Sequence, residues 1–346
     1  MFKRMIDCVE MHEGEPLRVV LSGIPSIPGD TIYEQILWLR DHEDAFRKLV
    51  VNEPRGTDPV CCCVIVPAKD PRADVGCFIM SRTGFLTVSG ATIIAGAVAL
   101  VQTGLIPMRE PVTEFTMETG AGLLSMEVEC RNGKAKKASW CGPSCFAPII
   151  DQEIDVPHIG KVTVSMAWGC SCWYVCTDAV QLSLPLDADH AKEIVRKSAL
   201  ITQAAKDQLS FKHPDFPREN AVLSIMYEPS ENPGTYMRTA NVYNIDEIDY
   251  DNPDTWTGSM DRGVCGTGTC ALVALEHARG NMELGKEYVN EGILGIQFTC
   301  SAVEKSRVGE WDAVVPKIGG PSWIYGFTKW VLEDDDPFPE GFTLNV

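Results

Sequence analysis

The sequence contains no run of about 18 apolar residues, so no segment is suited to crossing a bilayer as a helix. Its start, Met1-Phe2-Lys3-Arg4-Met5-Ile6-Asp7, lacks the apolar core of a secretory signal peptide, and a cytoplasmic location is expected. Positive charge is scarce. Thirty Lys and Arg stand against 48 Asp and Glu, a net charge of −18. Such a chain repels phosphate backbones and anionic lipid, which argues against nucleic-acid and membrane partners. Low-complexity segments and long linkers are also missing.

Cysteine is abundant, with fourteen residues. In a large chain without an export signal these are expected as free thiols rather than a disulfide framework. Zinc needs convergent Cys or His ligands. The candidate groups, Cys61-Cys62-Cys63 and Cys170-x-Cys172-x3-Cys176, lie in apolar, alternating stretches where cysteine acts as a small hydrophobe. No metal and no cofactor are therefore expected. The composition is otherwise that of a globular protein, and 346 residues exceed what one core usually needs, so two domains are expected.

Much of the chain reads as short strands: Val60 to Val66, Val75 to Met80, Thr113 to Met117, Leu123 to Glu129 and Lys161 to Ala167. Helices are expected over 30–49, 91–102, 188–208 and 269–279. Two stretches repeat one design. Val88-Ser89-Gly90-Ala91-Thr92 leads into an apolar helix and Gly104. Val264-Cys265-Gly266-Thr267-Gly268-Thr269 leads into another and Gly280. In both, a glycine suited to a helix C-cap follows the Ser or Cys by fifteen residues, and strand-like sequence comes next. The first helix is apolar all round and must be buried on every side. The expected fold is α+β, with two pseudo-symmetric domains, each a strand-rich, barrel-like layer around a central helix.

A buried helix start carries unpaired N–H groups and a partial positive charge, which suit a carboxylate. Gly90, Gly266 and Gly268 allow close backbone approach to a ligand. A thiol at such a start becomes thiolate more readily. Two starts gripping one carboxylate would set Ser89 and Cys265 on opposite faces of an α-carbon, the arrangement for removing a proton from one face and returning one to the other. The charge that builds on the carboxylate would meet fixed N–H donors, and pyridoxal is not needed. Alone, Cys-Gly-Thr-Gly-Thr is equally a turn and a helix cap. The repeat at matched spacing favours the site.

These residues resemble the proline racemase family, which includes 4-hydroxyproline epimerases and trans-3-hydroxy-L-proline dehydratases. Asp261-Arg262-Gly263-Val264-Cys265-Gly266-Thr267-Gly268-Thr269 is similar to the family's Asp-Arg-Ser-Pro-Cys-Gly-Thr-Gly-Thr signature. Further likeness lies in Gly14 to Val20, Pro28 to Thr31, Glu53 to Gly56, His277 to Gly280, Glu291 to Gly295 and Asp334 to Phe342. The resemblance spans nearly the whole chain. It implies a diaminopimelate-epimerase-like fold with its active site between the domains, a homodimer and a small amino-acid substrate. It also implies a first domain over 1–155, rejoined by 327–346, and a second over 156–326. By position, Cys265 is the family's second catalytic cysteine and Ser89 takes the place of the first. Asp261 matches the contact to the substrate's ring nitrogen, and Gly90, Gly266 and Thr267 match the carboxylate cradle. Ala91 occupies a substrate-facing position.

The departures from the family are specific. Ser89 replaces Cys, and a serine hydroxyl is a poor base at neutral pH. Ala91 and Thr92 replace a polar residue and an Asn. Gly169-Cys170-Ser171-Cys172-Trp173 replaces Gly-Gly-x-Phe, which would alter backbone approach to the ligand. His12 is offset by one from the family's His and reads as structural. The acidic stretch Asn244 to Asp254 reads as a surface loop, with Trp256 as its anchor. The leading reading is a proline or hydroxyproline racemase or epimerase. The alternatives are a trans-3-hydroxy-L-proline dehydratase, a divergent member with a changed substrate, and a non-catalytic carboxylate binder.

Overall fold

The computed structural model describes residues 1–244 and 247–344. The chain forms two compact units: Met1–Cys141 with Gly319–Val346, and Gly142–Ile318. Each is a mixed α+β unit. Among the described residues no helix is long and apolar enough to cross a membrane.

In the first unit, strand Phe2–His12 pairs antiparallel with Pro16–Val20. The chain then crosses over through helices α1 (Ile32–His42) and α2 (Asp44–Val51) to Cys61–Val66, which is parallel to Pro16–Val20. Val75–Ser81 returns antiparallel. Helix α3 (Gly90–Gln102) leads to a second parallel joint, with Val112–Thr119, and an antiparallel meander follows through Gly122–Arg131 and Lys134–Cys141.

The second unit repeats this plan. The meander Phe146–Val156, Gly160–Trp168, Trp173–Asp178 leads through α4 (Ala191–Gln208) to the parallel strand Val222–Pro229. Met237–Tyr243 returns antiparallel. Helix α5 (Gly266–Ala278) leads to the second parallel joint, with Tyr288–Gly292, and Gln297–Val308 follows. Parallel neighbours need crossovers, and in each unit the second crossover is the helix that begins just after Ser89 or Cys265.

Both of these helices have 13 residues, of which eleven are buried. Strands of its own unit surround each one. Each ends into a left-handed glycine, Gly104 (φ +80°) and Gly280 (φ +81°), a conformation that a residue with a Cβ rarely adopts. By contrast α4 is exposed at Lys192, Glu193 and Arg196 in its first turns and buried from Ser198 to Thr202 further on.

The units divide at 141/142 and 318/319, not at 155/156 and 326/327. Strand pairing explains the shift. Phe146–Val156 forms a hairpin with Gly160–Trp168, so it stays with the second unit. Trp323–Glu333 pairs along Phe2–His12, so it belongs wholly to the first. The expected single helix over 30–49 is broken at Glu43 (φ −144°, ψ 48°). Thr31 caps α1 by accepting from the Glu34 N–H at 3.1 Å, and Glu34 accepts from the Asp30 N–H at 2.7 Å, a reciprocal cap. Arg47 in α2 grips Asp44 and donates to the carbonyls of Ser81 and Arg82 at 2.9 and 3.0 Å, which turns α2 onto the strand ending there.

Residues 245 and 246 of the acidic stretch lie outside the described residues. The remainder is a loop in which Trp256 donates from Nε1 to the Asp249 carbonyl at 2.9 Å, so Trp256 anchors its own loop. His12 stacks on Trp323 with ring centroids 5.4 Å apart, a packing role.

A buried ion pair ties the returning C-terminal strand to the first unit. Arg18 donates from Nε to Glu10 at 2.9 Å and from Nη1 to the Val50 carbonyl at 2.8 Å, with its guanidinium over Trp330. Thr328 donates to the same carboxylate at 2.9 Å. The tail is held again by the Arg55–Asp336 ion pair and by the Phe342 N–H donating to the Glu53 carbonyl at 2.8 Å. Removing one partner of a buried pair strands the other charge. Arg18→Met is expected to cost about 3–5 kcal/mol in urea unfolding. Adding Glu10→Leu to that variant should recover much of the loss.

Candidate active site

The signature loop places its groups through backbone geometry. Cys265 sits at the N-cap of α5 in extended conformation (φ −66°, ψ 108°), and its sulfur accepts from the Gly268 N–H at 3.3 Å. Thr269 donates its hydroxyl to the Cys265 carbonyl at 2.8 Å and accepts from the Asn290 amide at 2.8 Å, which fixes the helix start from behind. Gly268 is closely packed by side chains. A Cβ there would lie 2.6 Å from Ile225 Cδ1 and 3.2 Å from the Cys265 sulfur.

Around the thiol stand a carboxylate and a phenol. Asp261 is half-buried and accepts from the Asn241 amide at 2.9 Å. Burial lifts its carboxyl to about 6, although donation from Cys265 and Asn241 pulls it down. Tyr174 is fully buried, with its hydroxyl 2.6 Å from Thr267 Oγ1 and 3.5 Å from the Cys265 sulfur. Burial and the neighbouring thiol keep this phenol protonated. Burial first, and then the Asp261 carboxylate, push the Cys265 thiol well above its ordinary range. Tyr174, the Gly268 N–H and Thr267 oppose this. The helix start alone predicts a lowered thiol pKa. In the protein without ligand, burial and the carboxylate outweigh it. Of the fourteen cysteines, Cys265 is one of three that are partly exposed; Cys61 and Cys141 are the others.

Helix α3 gives the corresponding half-site in the first unit. Ser89 is its N-cap (φ −136°, ψ 119°), but the side chain makes no capping bond. The Ser89 hydroxyl instead pairs with that of the buried Thr92, 2.8 Å away. Trp140 donates from Nε1 to the Gly90 carbonyl at 3.3 Å and so anchors the first turn. Ser89 and Ala91 are half-buried, and Gly90 is buried. In each half-site the first-turn N–H groups have no acceptor within the helix.

Two expected departures take a different meaning. Cys170 adopts a left-handed conformation (φ +70°), and its sulfur lies 3.2 Å from that of Cys145. Trp173 is core, packed among Phe146, Trp168 and Phe211. The sequence reading missed Tyr174 and Asn241. Tyr174 carries no signal that separates it from any aromatic in a buried strand. Asn241 is a buried amide in the mixed strand Met237–Tyr243, where Arg238 and Thr239 are also polar, so it too carried no separate signal.

A thiol and a carboxylate beside the N–H groups of a helix start are groups suited to proton transfer and to holding an anion. The pattern that describes proline racemases matches residues 8–343. A 4-hydroxyproline 2-epimerase of Rhizobium etli is 32% identical over 346 residues, covering 99% of this chain and 96% of that protein. A proline racemase of Clostridioides difficile is also 32% identical, covering 99% of each. The crystal structure of a hydroxyproline epimerase from Agrobacterium vitis, with bound trans-4-hydroxy-L-proline, superposes with a TM-score of 0.89 at 31% identity, covering 99% of this chain and 96% of that one. The chain belongs to the proline racemase family.

The electrostatics can be tested without a substrate. Asp261→Asn removes the charge that raises the Cys265 pKa, so more thiolate forms at a given pH. Alkylation of Cys265 by iodoacetamide at pH 8, followed by peptide mass spectrometry, should be severalfold faster in Asp261→Asn. An unchanged or slower rate would mean that Asp261 does not govern the thiol.

Proposed function

We propose that the protein is a cofactor-independent racemase or epimerase acting at the α-carbon of proline or hydroxyproline. The observation that carries this reading is the Asp261–Cys265 pair at the capped start of α5. Asp261 takes the substrate's secondary ammonium. The first-turn N–H groups of α5, at Gly266 and Thr267, take the carboxylate and stabilise the charge that builds there as the α-proton leaves. Gly90 and Ala91 supply the matching turn of α3.

The ammonium has a second effect in this scheme. Once beside Asp261 it offsets the carboxylate that holds the Cys265 thiol protonated. The thiol then gives up its proton to solvent as substrate binds, leaving a thiolate supported by Tyr174 and the Gly268 N–H. Cys265 exchanges the α-proton on one face of the carbon. Ser89, its hydroxyl oriented by Thr92, serves the other face as a proton donor or through a water relay. Such a pair is unequal, because a serine hydroxyl is a far weaker acid than a thiol.

The first test follows L-proline, trans-4-hydroxy-L-proline and trans-3-hydroxy-L-proline by proton NMR in D2O. Loss of the α-proton signal, with appearance of the enantiomer or diastereomer, is expected for proline or for the 4-hydroxy compound. A cyclic imine from the 3-hydroxy compound would instead make the enzyme a dehydratase, and silence with all three would overturn the reading. Cys265→Ala should abolish exchange. Ser89→Ala should abolish inversion while leaving slow exchange of the enantiomer whose proton faces Cys265.

The pH profile follows from the raised carboxyl. Below about pH 6 Asp261 is protonated and cannot hold the ammonium, so kcat/KM should fall about tenfold per pH unit there. In Asp261→Asn this acid limb should disappear and KM should rise. A limb that persists in the variant would belong to another group.

A further inference from the structure

Cys145, Cys170 and Cys270 come from three separate parts of the second unit, yet their sulfurs all lie within 4.8 Å of one another. Cys145 precedes the strand Phe146–Val156. Cys170 lies in the turn between Gly160–Trp168 and Trp173–Asp178, and Cys270 is in α5. All three are fully buried. Among the described residues this is the one group of three Cys, His, Asp or Glu side chains with ligand atoms so close. It differs from the groupings that the sequence suggests. Of Cys170, Cys172 and Cys176, only Cys170 joins the cluster. Cys172 lies against Ser171, and Cys176 against the Tyr174 carbonyl.

We propose that these three thiols form a buried binding site for a thiophilic cation, Zn²⁺ or Cu⁺, that braces the start of α5. This rests on the cluster alone and not on the proposed reaction. Three thiolates at about 2.3 Å from a zinc ion lie about 3.8 Å apart; here all three sulfurs lie within 4.8 Å of one another, and those of Cys145 and Cys170 are 3.2 Å apart. A disulfide would use two of the sulfurs and leave the third without a role. Buried cysteines are ordinarily small hydrophobes, but that role does not ask a residue with a Cβ to adopt a left-handed backbone. Cys170 adopts one (φ +70°), and its sulfur lies in the cluster, 3.2 Å from that of Cys145.

A fourth donor is at hand for zinc. The Pro143 carbonyl oxygen lies 3.6 Å from the Cys145 sulfur and 3.8 Å from that of Cys170. Binding would release the three thiol protons. A tris-thiolate zinc then carries one net negative charge and the Cu⁺ form two, so the buried setting favours zinc.

The brace would act on the helix that carries Cys265. Cys270 lies five residues further along α5. Gly169, next to Cys170, is pressed against the Thr267 carbonyl so closely that a Cβ there would lie 2.2 Å away. A cation joining Cys170 to Cys270 therefore couples the 169–172 turn to the first turn of α5. These three cysteines are positioning residues in this proposal and do not touch substrate.

The test uses the full chain, purified reduced and free of metal, then given Zn²⁺ or Cu⁺ anaerobically and desalted. Elemental analysis should find one zinc per chain in the unaltered protein and none in Cys170→Ala. Cys61→Ala, in the other cysteine-rich stretch, should retain it. Copper retained in place of zinc, and lost in Cys170→Ala, would support the same site with the other cation. X-ray absorption at the metal edge of the unaltered protein keeps the proposal testable if Cys170→Ala fails to fold: a first shell of three sulfurs at about 2.3 Å is expected. No retained metal, metal undiminished in a folded Cys170→Ala, or a first shell dominated by nitrogen and oxygen would each overturn the proposal.

Discussion

A helix that is apolar on every side can be stable in a folded chain only at the centre of something else. That constraint organises each unit of this protein. Strands surround α3 and α5, and the first turns of both helices are largely buried, while their last residues, Gln102 and Ala278, reach the surface. A buried helix start cannot leave its N–H groups to water and must offer them to a side chain or a ligand. The demand of packing thus creates an anion cradle in each unit, and the residue at the N-cap, Ser89 or Cys265, stands at its edge.

The second unit shows how the cradle becomes chemical. At the start of α5 the helix dipole favours thiolate, while burial and Asp261 favour thiol. Burial and the carboxylate win while no ligand is present. The balance is therefore set to respond to a cation beside Asp261, and a secondary ammonium is such a cation. Tyr174 and the Gly268 N–H hold the sulfur in place whichever protonation state prevails. In the first unit the N-cap hydroxyl is turned toward Thr92, and no carboxylate makes a bond to it among the described residues. The two half-sites share a backbone plan and differ in electrostatics.

The supports of the second half-site are shared with its core. Gly268 is tight against Ile225, Gly169 against the Thr267 carbonyl, and Gly292 against the Gly263 carbonyl, where an added Cβ would lie 2.4 Å away. Glu291, fully buried, accepts from Ser230, Asn232 and Arg238. Close packing at these glycines and the hydrogen bonds of Glu291 hold the signature loop from several sides.

Local sequence determined a good deal by itself. Periodicity and turn residues marked the central helices, their capping glycines and the strands near 60–66, 75–80, 113–117, 123–129 and 161–167, because those signals act within a few residues. The repeat at matched spacing marked Cys265 and Ser89, and the resemblance of the Asp261-to-Thr269 run to the family signature added Asp261. What depended on residues distant in sequence was decided by tertiary structure alone. Tyr174 and Asn241 reach the site through strand register, the unit boundaries follow from which hairpin pairs with which strand, and Cys145, Cys170 and Cys270 meet only because a strand, a turn and a helix pack together. The direction of the Cys265 pKa shift belongs with these. A helix start is visible in sequence, whereas burial and the place of a facing carboxylate exist only once the chain has folded.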